Sequence, residues 1–180
     1  WVAGSNITKM SESELRVLRK KVTMVFQSGA LFDSLTVGEN IEFSLELRED
    51  YDQANKDEVV QGLLAMVDLE DYVDLYPSSL STGHKRAVAI ARALAAQPDC
   101  ILYDEPTTMV DPIMGDHLAA LMLRLKTQLK LTSVVVTHDL DLMRRVAEKV
   151  VILHEGRAIY FGPVADLESS PHEHIKEFLA

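Results

Sequence analysis

The hexapeptide Cys100-Ile101-Leu102-Tyr103-Asp104-Glu105 runs from four apolar residues directly into two carboxylates, and its reading decides the fold. A second continuous run, Ser133-Val134-Val135-Val136, is β-branched and leads into Thr137-His138. Short apolar runs without alternation are what strands buried on both faces look like, so the pair predicts a parallel sheet covered by helices. Between them, Leu118, Leu121, Met122, Leu125 and Leu129 recur at helical spacing and supply the crossover that parallel strands need. Upstream, residues 22–26 read as another strand, ending at Gln27. Three strand ends thus carry Gln27, Asp104-Glu105 and His138, on the side where open α/β sheets place their ligands.

Working outward, residues 11–20 predict a short amphipathic helix with Ser11 and Ser13 as candidate caps. Residues 28–40 mix Gly, Asp, Ser and Thr with Leu31, Phe32 and Leu35, which reads as a structured loop, and the polar stretch 48–56 as a surface loop. From 57 to 67, apolar residues at 59, 60, 63, 64 and 67 lay one stripe along a helix. A second helix is expected to start at Ser81 and reach about Ala96, with Ala87, Ala91 and Ala95 making a face for close packing. Residues 150–154 and 157–161, joined at Glu155-Gly156, predict a hairpin, and a short helix follows Pro171. These elements divide the chain into a core of 1–30 and 97–180 and a helical subdomain of 31–96.

The chain has 180 residues, 47% of them hydrophobic, which is enough for one packed domain or a domain with a subdomain. A net charge of -10 opposes a nucleic-acid surface, which needs a concentrated basic patch. Arg16, Arg19, Lys20 and Lys21 read as a solvated helix face. Cys100, the single cysteine, has no internal partner for a disulfide. No run approaches the roughly 20 apolar residues of a membrane-spanning helix, and no signal region opens the sequence. A cytoplasmic protein is the expectation. The start at Trp1 suggests a fragment.

Each candidate residue has a chemistry and a bland counterpart. Asp104 can hold Mg²⁺ directly or through water, and Glu105 can polarise an attacking water as general base; an Asp-Glu pair is also an ordinary strand exit. His138 can donate to a phosphate oxygen, but a lone loop histidine is usually only solvated. Gln27 offers a carboxamide oxygen to metal or water. Ser81-Thr82-Gly83-His84 opens a helix, where backbone N–H groups and the dipole attract anions, although most capped helices hold no ligand. Their order and strand-end placement give the set its weight.

Leu80-Ser81-Thr82-Gly83-His84, the segment 100–107 and Val136-Thr137-His138-Asp139 resemble the signature, Walker B and switch-histidine segments of ABC-transporter ATPases. Residues 25–37, Val-Phe-Gln-Ser-Gly-Ala-Leu-Phe-Asp-Ser-Leu-Thr-Val, resemble the glutamine loop of the Mla/Mce-type lipid-transport branch. The resemblance implies a P-loop NTPase-like parallel sheet flanked by helices, truncated, with a helical signature subdomain and a C-terminal β-hairpin. It implies ATP and Mg²⁺ as cofactors, Asp104 and Gln27 at the metal, and Glu105 as base. His138 would sit at the γ-phosphate, and Gln27 would couple nucleotide to a membrane partner. Ser81, Thr82, Gly83 and His84 would face nucleotide held by a twin subunit, and Asp111 would lie at that interface. It further implies an ATPase homodimer, an integral membrane permease contacted through residues 28–40, and peripheral attachment to the inner membrane.

The match departs at three places. Thr82 stands where the signature has glycine, His84 where it has Gln or Met, and Met109-Val110 precede Asp111 in unusual wording. A G-x-x-x-x-G-K-[ST] phosphate loop is also expected and not found: after Gly4, Lys9 and Met10 occupy the places of its second glycine and its lysine. The expectation is therefore an ATPase fragment without its phosphate cradle. Two readings stand beside it: an ATPase moving another cargo, and a catalytically silent interaction module.

Overall fold

The structure, a computed structural model, describes residues 1–2, 4–48 and 52–179. The chain divides into two units, Trp1–Val136 and Thr137–Ala180.

In the first unit, helix α1 (Glu12–Arg19) starts at a capping box in which Ser11 and Glu14 satisfy each other's backbone N–H groups. It leads into β1 (Val22–Val25), which pairs in parallel with β2 (Cys100–Asp104), and β2 pairs in parallel with β3 (Thr132–Val136). The order β1-β2-β3 brings the carboxyl ends of all three strands to one edge. Between β1 and β2 lie α2 (Val37–Leu45), α3 (Lys56–Ala65) and α4 (Thr82–Ala95); α5 (Pro112–Leu129) is the crossover between β2 and β3. The alanine face of α4 packs as expected: Ala87, Ala91 and Ala95 are all buried.

Helix α2 corrects the reading of residues 28–40 as loop throughout. Its start carries a signature that went unread: Thr36 accepts from the Glu39 N–H while the Glu39 carboxylate accepts from the Thr36 N–H at 2.7 Å. The loop before it is organised by Asn40, which is fully buried. Its amide oxygen accepts from the Phe32 N–H at 2.8 Å, and its amino group donates to the carbonyls of Phe32, Leu35 and Thr36. In the stretch 48–56, residues 49–51 lie outside the described residues, Gln53–Asn55 forms a helical turn, and α3 begins at Lys56.

The sheet is covered on one face only among the described residues. Val25, Ile101 and Tyr103 are buried on the face where α4 packs against β1. The opposite face, through Met24, Val134 and Val136, is open, with Val134 49% and Val136 60% exposed. Continuous apolar runs therefore read correctly as parallel strands but not as strands enclosed on both sides here.

In the second unit, α6 (Leu140–Val146) is capped by Asp139, whose carboxylate accepts from the N–H groups of Asp141 and Leu142. Strands β4 (Lys149–His154) and β5 (Arg157–Pro163) form the expected antiparallel hairpin. Its turn places Glu155 and Gly156 at φ 48° and 73°, the left-handed pair that matches strand twist in two-residue hairpins. Helix α7 (Glu173–Leu179) closes a small core of Met143, Leu167 and Ile175.

Candidate functional site

The carboxyl edge of the three-stranded sheet collects the chemistry of the first unit. Directly after β1 the chain turns at Gln27-Ser28, with Gly29 and Ala30 at φ 76° and 48°. Gly29 is glycine for two reasons, its left-handed backbone and the Lys85 carbonyl oxygen that would lie 3.3 Å from any Cβ. Arg92, one helical stretch further along α4, donates to the carbonyls of Ala30 at 2.7 Å and Gly29 at 3.0 Å. The glutamine turn is thereby tied to α4 by a charge-assisted fork.

Asp104 is the last residue of β2 and half-buried. Among the described residues its carboxylate takes no hydrogen bond and no ion pair, so its oxygens are available to a ligand. Glu105 follows in the left-handed region, at φ 46°, with its N–H donating to the Val136 carbonyl at 2.9 Å. A non-glycine residue in that conformation costs about 1–2 kcal/mol. The turn is held because the Thr108 hydroxyl donates to the Glu105 carboxylate at 3.0 Å. Glu105 is therefore a partly buried carboxylate at the sheet edge, not one lost in the interior.

The signature segment forms the start of α4 as anticipated. Ser81 is the N-cap, its hydroxyl accepting from the His84 N–H at 3.2 Å. Thr82 is exposed, and the His84 ring lies 5.1 Å from that of Tyr72. Gly83 is buried under α5, where a Cβ would fall 2.0 Å from Met114 Cγ. Asp111 caps α5, accepting from the Met114 N–H at 3.0 Å.

These elements leave an open cleft of about 510 Å³ between the glutamine turn, α4 and the end of β2. Gln27, Ser28, Thr82 and Asp104 line it together with Lys85 and Arg86, and Phe26 and Met109 add apolar surface. Of the residues singled out in the sequence, the cleft gathers Gln27, Thr82 and Asp104. Ser81, Gly83, His84, Glu105 and Asp111 stand outside its lining. His138 is an exposed residue of the second unit, beside Asp139, whose N–H donates to the Thr137 hydroxyl at 3.0 Å.

Lys85 and Arg86 were missed by sequence reasoning, which stopped at the helix start. Their signal was adjacency: two basic residues just inside a helix whose first turn already favours anions. Arg86 is 3% exposed, and burial pushes its guanidinium pKa down. Among the described residues, no cluster of three or more His, Cys, Asp or Glu side chains is arranged to hold a metal ion. The free Asp104 carboxylate and the Gln27 carboxamide nevertheless fit Mg²⁺, which is commonly held by one or two protein oxygens with phosphate and water completing the shell.

The ABC transporter family model matches residues 1–108. The methionine import ATP-binding protein MetN of Staphylococcus haemolyticus is 41% identical over 179 residues, covering 99% of this chain and 52% of that protein. Its namesake in Bifidobacterium longum is 38% identical over 183 residues, covering 99% of this chain and 45% of the relative. The chain thus spans about half the length of the curated relatives it matches. Among solved structures, a dimeric ATP-binding cassette in a post-hydrolysis state, bound to ADP and Pi, superposes with a TM-score of 0.80 at 31% identity, covering 91% of this chain and 72% of that one. The relatives named here import methionine, so the lipid branch suggested by residues 25–37 draws no support from them. Family model, relatives and superposition agree on the cassette itself, and the chain belongs to the ABC transporter family.

Proposed function

We propose that this chain is the nucleotide-binding part of a transporter ATPase, with Glu105 as the base that activates water. The observation that carries the reading is the sheet edge. There the free carboxylate of Asp104 and the Gln27 carboxamide open on one cleft, and Glu105 is held in a left-handed turn beside them. When bound, Mg²⁺ would neutralise phosphate charge and polarise the phosphoryl group. Asp104 and Gln27 would hold it. Glu105, oriented by the Thr108 hydroxyl, would accept the proton of the attacking water, a contribution of about 10²–10⁴ in rate. His138 is assigned to the γ-phosphate. Ser81, Thr82, Gly83, His84 and Asp111 are assigned to nucleotide carried by a second copy in an isologous homodimer.

Residues 31–96 would then form the signature subdomain, and 1–30 with 97–180 the ATPase core. The surface offered to a permease is the 28–40 region. It exposes Phe32, packed edge to face on Phe43 at 4.8 Å, and Arg92 and Asn40 anchor it from behind. Motion of the Gln27 turn would reach that surface through a few residues. None of the described helices is long and apolar enough to cross a membrane, consistent with peripheral attachment through the permease.

For the cargo, the names of the relatives favour a small amino acid such as methionine. The wording of residues 25–37 favours a lipid and keeps that as the second reading. Uptake of labelled methionine, lost on deleting the gene and restored by its return, would support the first. Unchanged uptake with impaired lipid placement in the envelope would select the second. The catalytic assignment is tested by ATP hydrolysis in the natural gene product: Glu105→Gln is expected to lower turnover about 10²-fold or more. Hydrolysis at the wild-type rate would remove Glu105 as the base.

A further inference from the structure

The carbonyl oxygens of Gly29 and Ala30 are held by one side chain. Arg92 donates to Ala30 at 2.7 Å and to Gly29 at 3.0 Å, and no backbone N–H among the described residues reaches either oxygen. The two residues are consecutive and left-handed, at φ 48° for Ala30 and 76° for Gly29. An alanine leaves that region readily unless something holds it. Within the turn, the Gly29 N–H donates to the Phe26 carbonyl at 2.8 Å and the Ala30 N–H to the Ser28 hydroxyl at 3.2 Å. Arg92 supplies the tie from outside. It is half-buried and forms no ion pair among the described residues, so its charge goes to those carbonyls and to the face of Phe32, 5.9 Å from the ring centroid. Lys85, Ala89 and Arg92 share one face of α4. Gly29 lies against that face, the position of its missing Cβ 3.3 Å from the Lys85 carbonyl oxygen and 3.7 Å from Ala89 Cβ.

We propose that Arg92 is a positioning residue for Gln27: by pinning Gly29 and Ala30 to α4, it keeps the Gln27 carboxamide on the cleft. The inference rests on the assignment of Gln27 to Mg²⁺ and adds a residue that stands outside the cleft lining. Gln27 is two residues from Gly29, so any change in the turn's backbone re-aims it directly. Without the fork, the carbonyl of buried Gly29 loses its donor, and water replaces that donor only if the turn lifts from α4. A guanidinium suits the task because its planar fork meets two oxygens at once, whereas a lysine ammonium is a point charge without that geometry. Helix α4 also carries Gly83 and begins at the Ser81 cap, so the glutamine turn and the signature segment are referenced to one rigid element.

The test is a mutant cycle in the natural gene product, reading kcat and KM for ATP in Gln27→Ala, Arg92→Ala and the double variant. Each single change is expected to lower kcat about 10- to 100-fold, the scale of a misplaced group near the chemistry, with KM for ATP within about twofold. On the Gln27→Ala background, Arg92→Ala should lower kcat by less than about twofold further, because the group it positions is already gone. A merely structural role would instead multiply the two losses, and that result overturns the proposal. Hydrogen exchange at the Gly29 amide supplies a second readout. It should quicken about tenfold or more in Arg92→Ala while the amides of α4 keep their protection. Exchange unchanged at Gly29 also overturns the proposal. Arg92→Lys should fall between wild type and Arg92→Ala in both measurements, and it carries the test if Arg92→Ala does not fold. Wild-type hydrolysis in Gln27→Ala removes Gln27 from the metal, and quickened Gly29 exchange in Arg92→Ala then still supports the clamp on the turn. The two readings thus fail separately.

Discussion

Adding one methyl group at Gly83 places a carbon 2.0 Å from Met114 Cγ, 3.0 Å from its sulfur and 3.2 Å from its Cβ. Carbon atoms in contact prefer about 3.5–4.0 Å, so the nearest overlap is severe. Rotating the outer part of the methionine clears Cγ and Sδ but not Cβ, which is carried by the backbone of α5. The first turn of α5, fixed by the Asp111 cap and Pro112, must therefore shift. Overpacking of this kind costs about 1–3 kcal/mol. Replacing glycine inside a helix returns up to about 1 kcal/mol. The expected net destabilisation of Gly83→Ala is about 1–2 kcal/mol, a fall of roughly 2–8 °C in melting temperature for a chain of this size. Urea denaturation followed by circular dichroism measures it. In a double-mutant cycle, Gly83→Ala on a Met114→Ala background should cost less than about 0.5 kcal/mol, because the colliding atoms are gone. A Gly83→Ala protein as stable as wild type, or a cost unchanged by Met114→Ala, would refute the claim that packing of α5 on α4 requires glycine here.

Asn40→Ala removes one acceptor and three donations that shape residues 32–36, and is expected to cost about 2–4 kcal/mol in urea denaturation. A loss below about 1 kcal/mol would show that the loop holds its form without Asn40. Burial pushes the acid pKa values of Cys100 and Tyr103 upward. Their folded forms thus hold protons that the unfolded chain releases above about pH 8.5 and pH 10 respectively. The stability they contribute is complete below those values and declines as pH rises past them. Tyr103→Phe should flatten the decline above pH 10, which a series of urea melts from pH 8 to pH 11 would detect as a smaller slope.

How far the sequence was legible varied with the range of the forces involved. Strands β2 and β3 were readable because a buried parallel strand needs an unbroken apolar run, and such runs are local. The start of α4 was readable because Ser81 and the alanine period are local too. Helix α2 was also locally encoded, in Thr36 and Glu39, but the glycine and polar residues around it masked the capping box. The open sheet face was not legible: Val134 and Val136 have the composition of enclosed residues, and only the placement of helices shows which side is covered.

The site shows the same division more sharply. Residue types and strand-end positions were enough to nominate Gln27, Asp104, Glu105 and His138, because the chemistry depends on side-chain identity and strand ends can be found from where an apolar run stops. That Gln27, Thr82 and Asp104 share a cleft while Ser81 and Asp111 stand outside its lining depended on the tertiary structure. The burial of Arg86 against the Gly29 turn depended on it as well. Sequence alone determined which groups are available and how the backbone runs locally, since those follow from bonded geometry and short-range hydrogen bonds. Tertiary packing decided which of them lose water and which face one another, because desolvation and contact join residues that are distant along the chain.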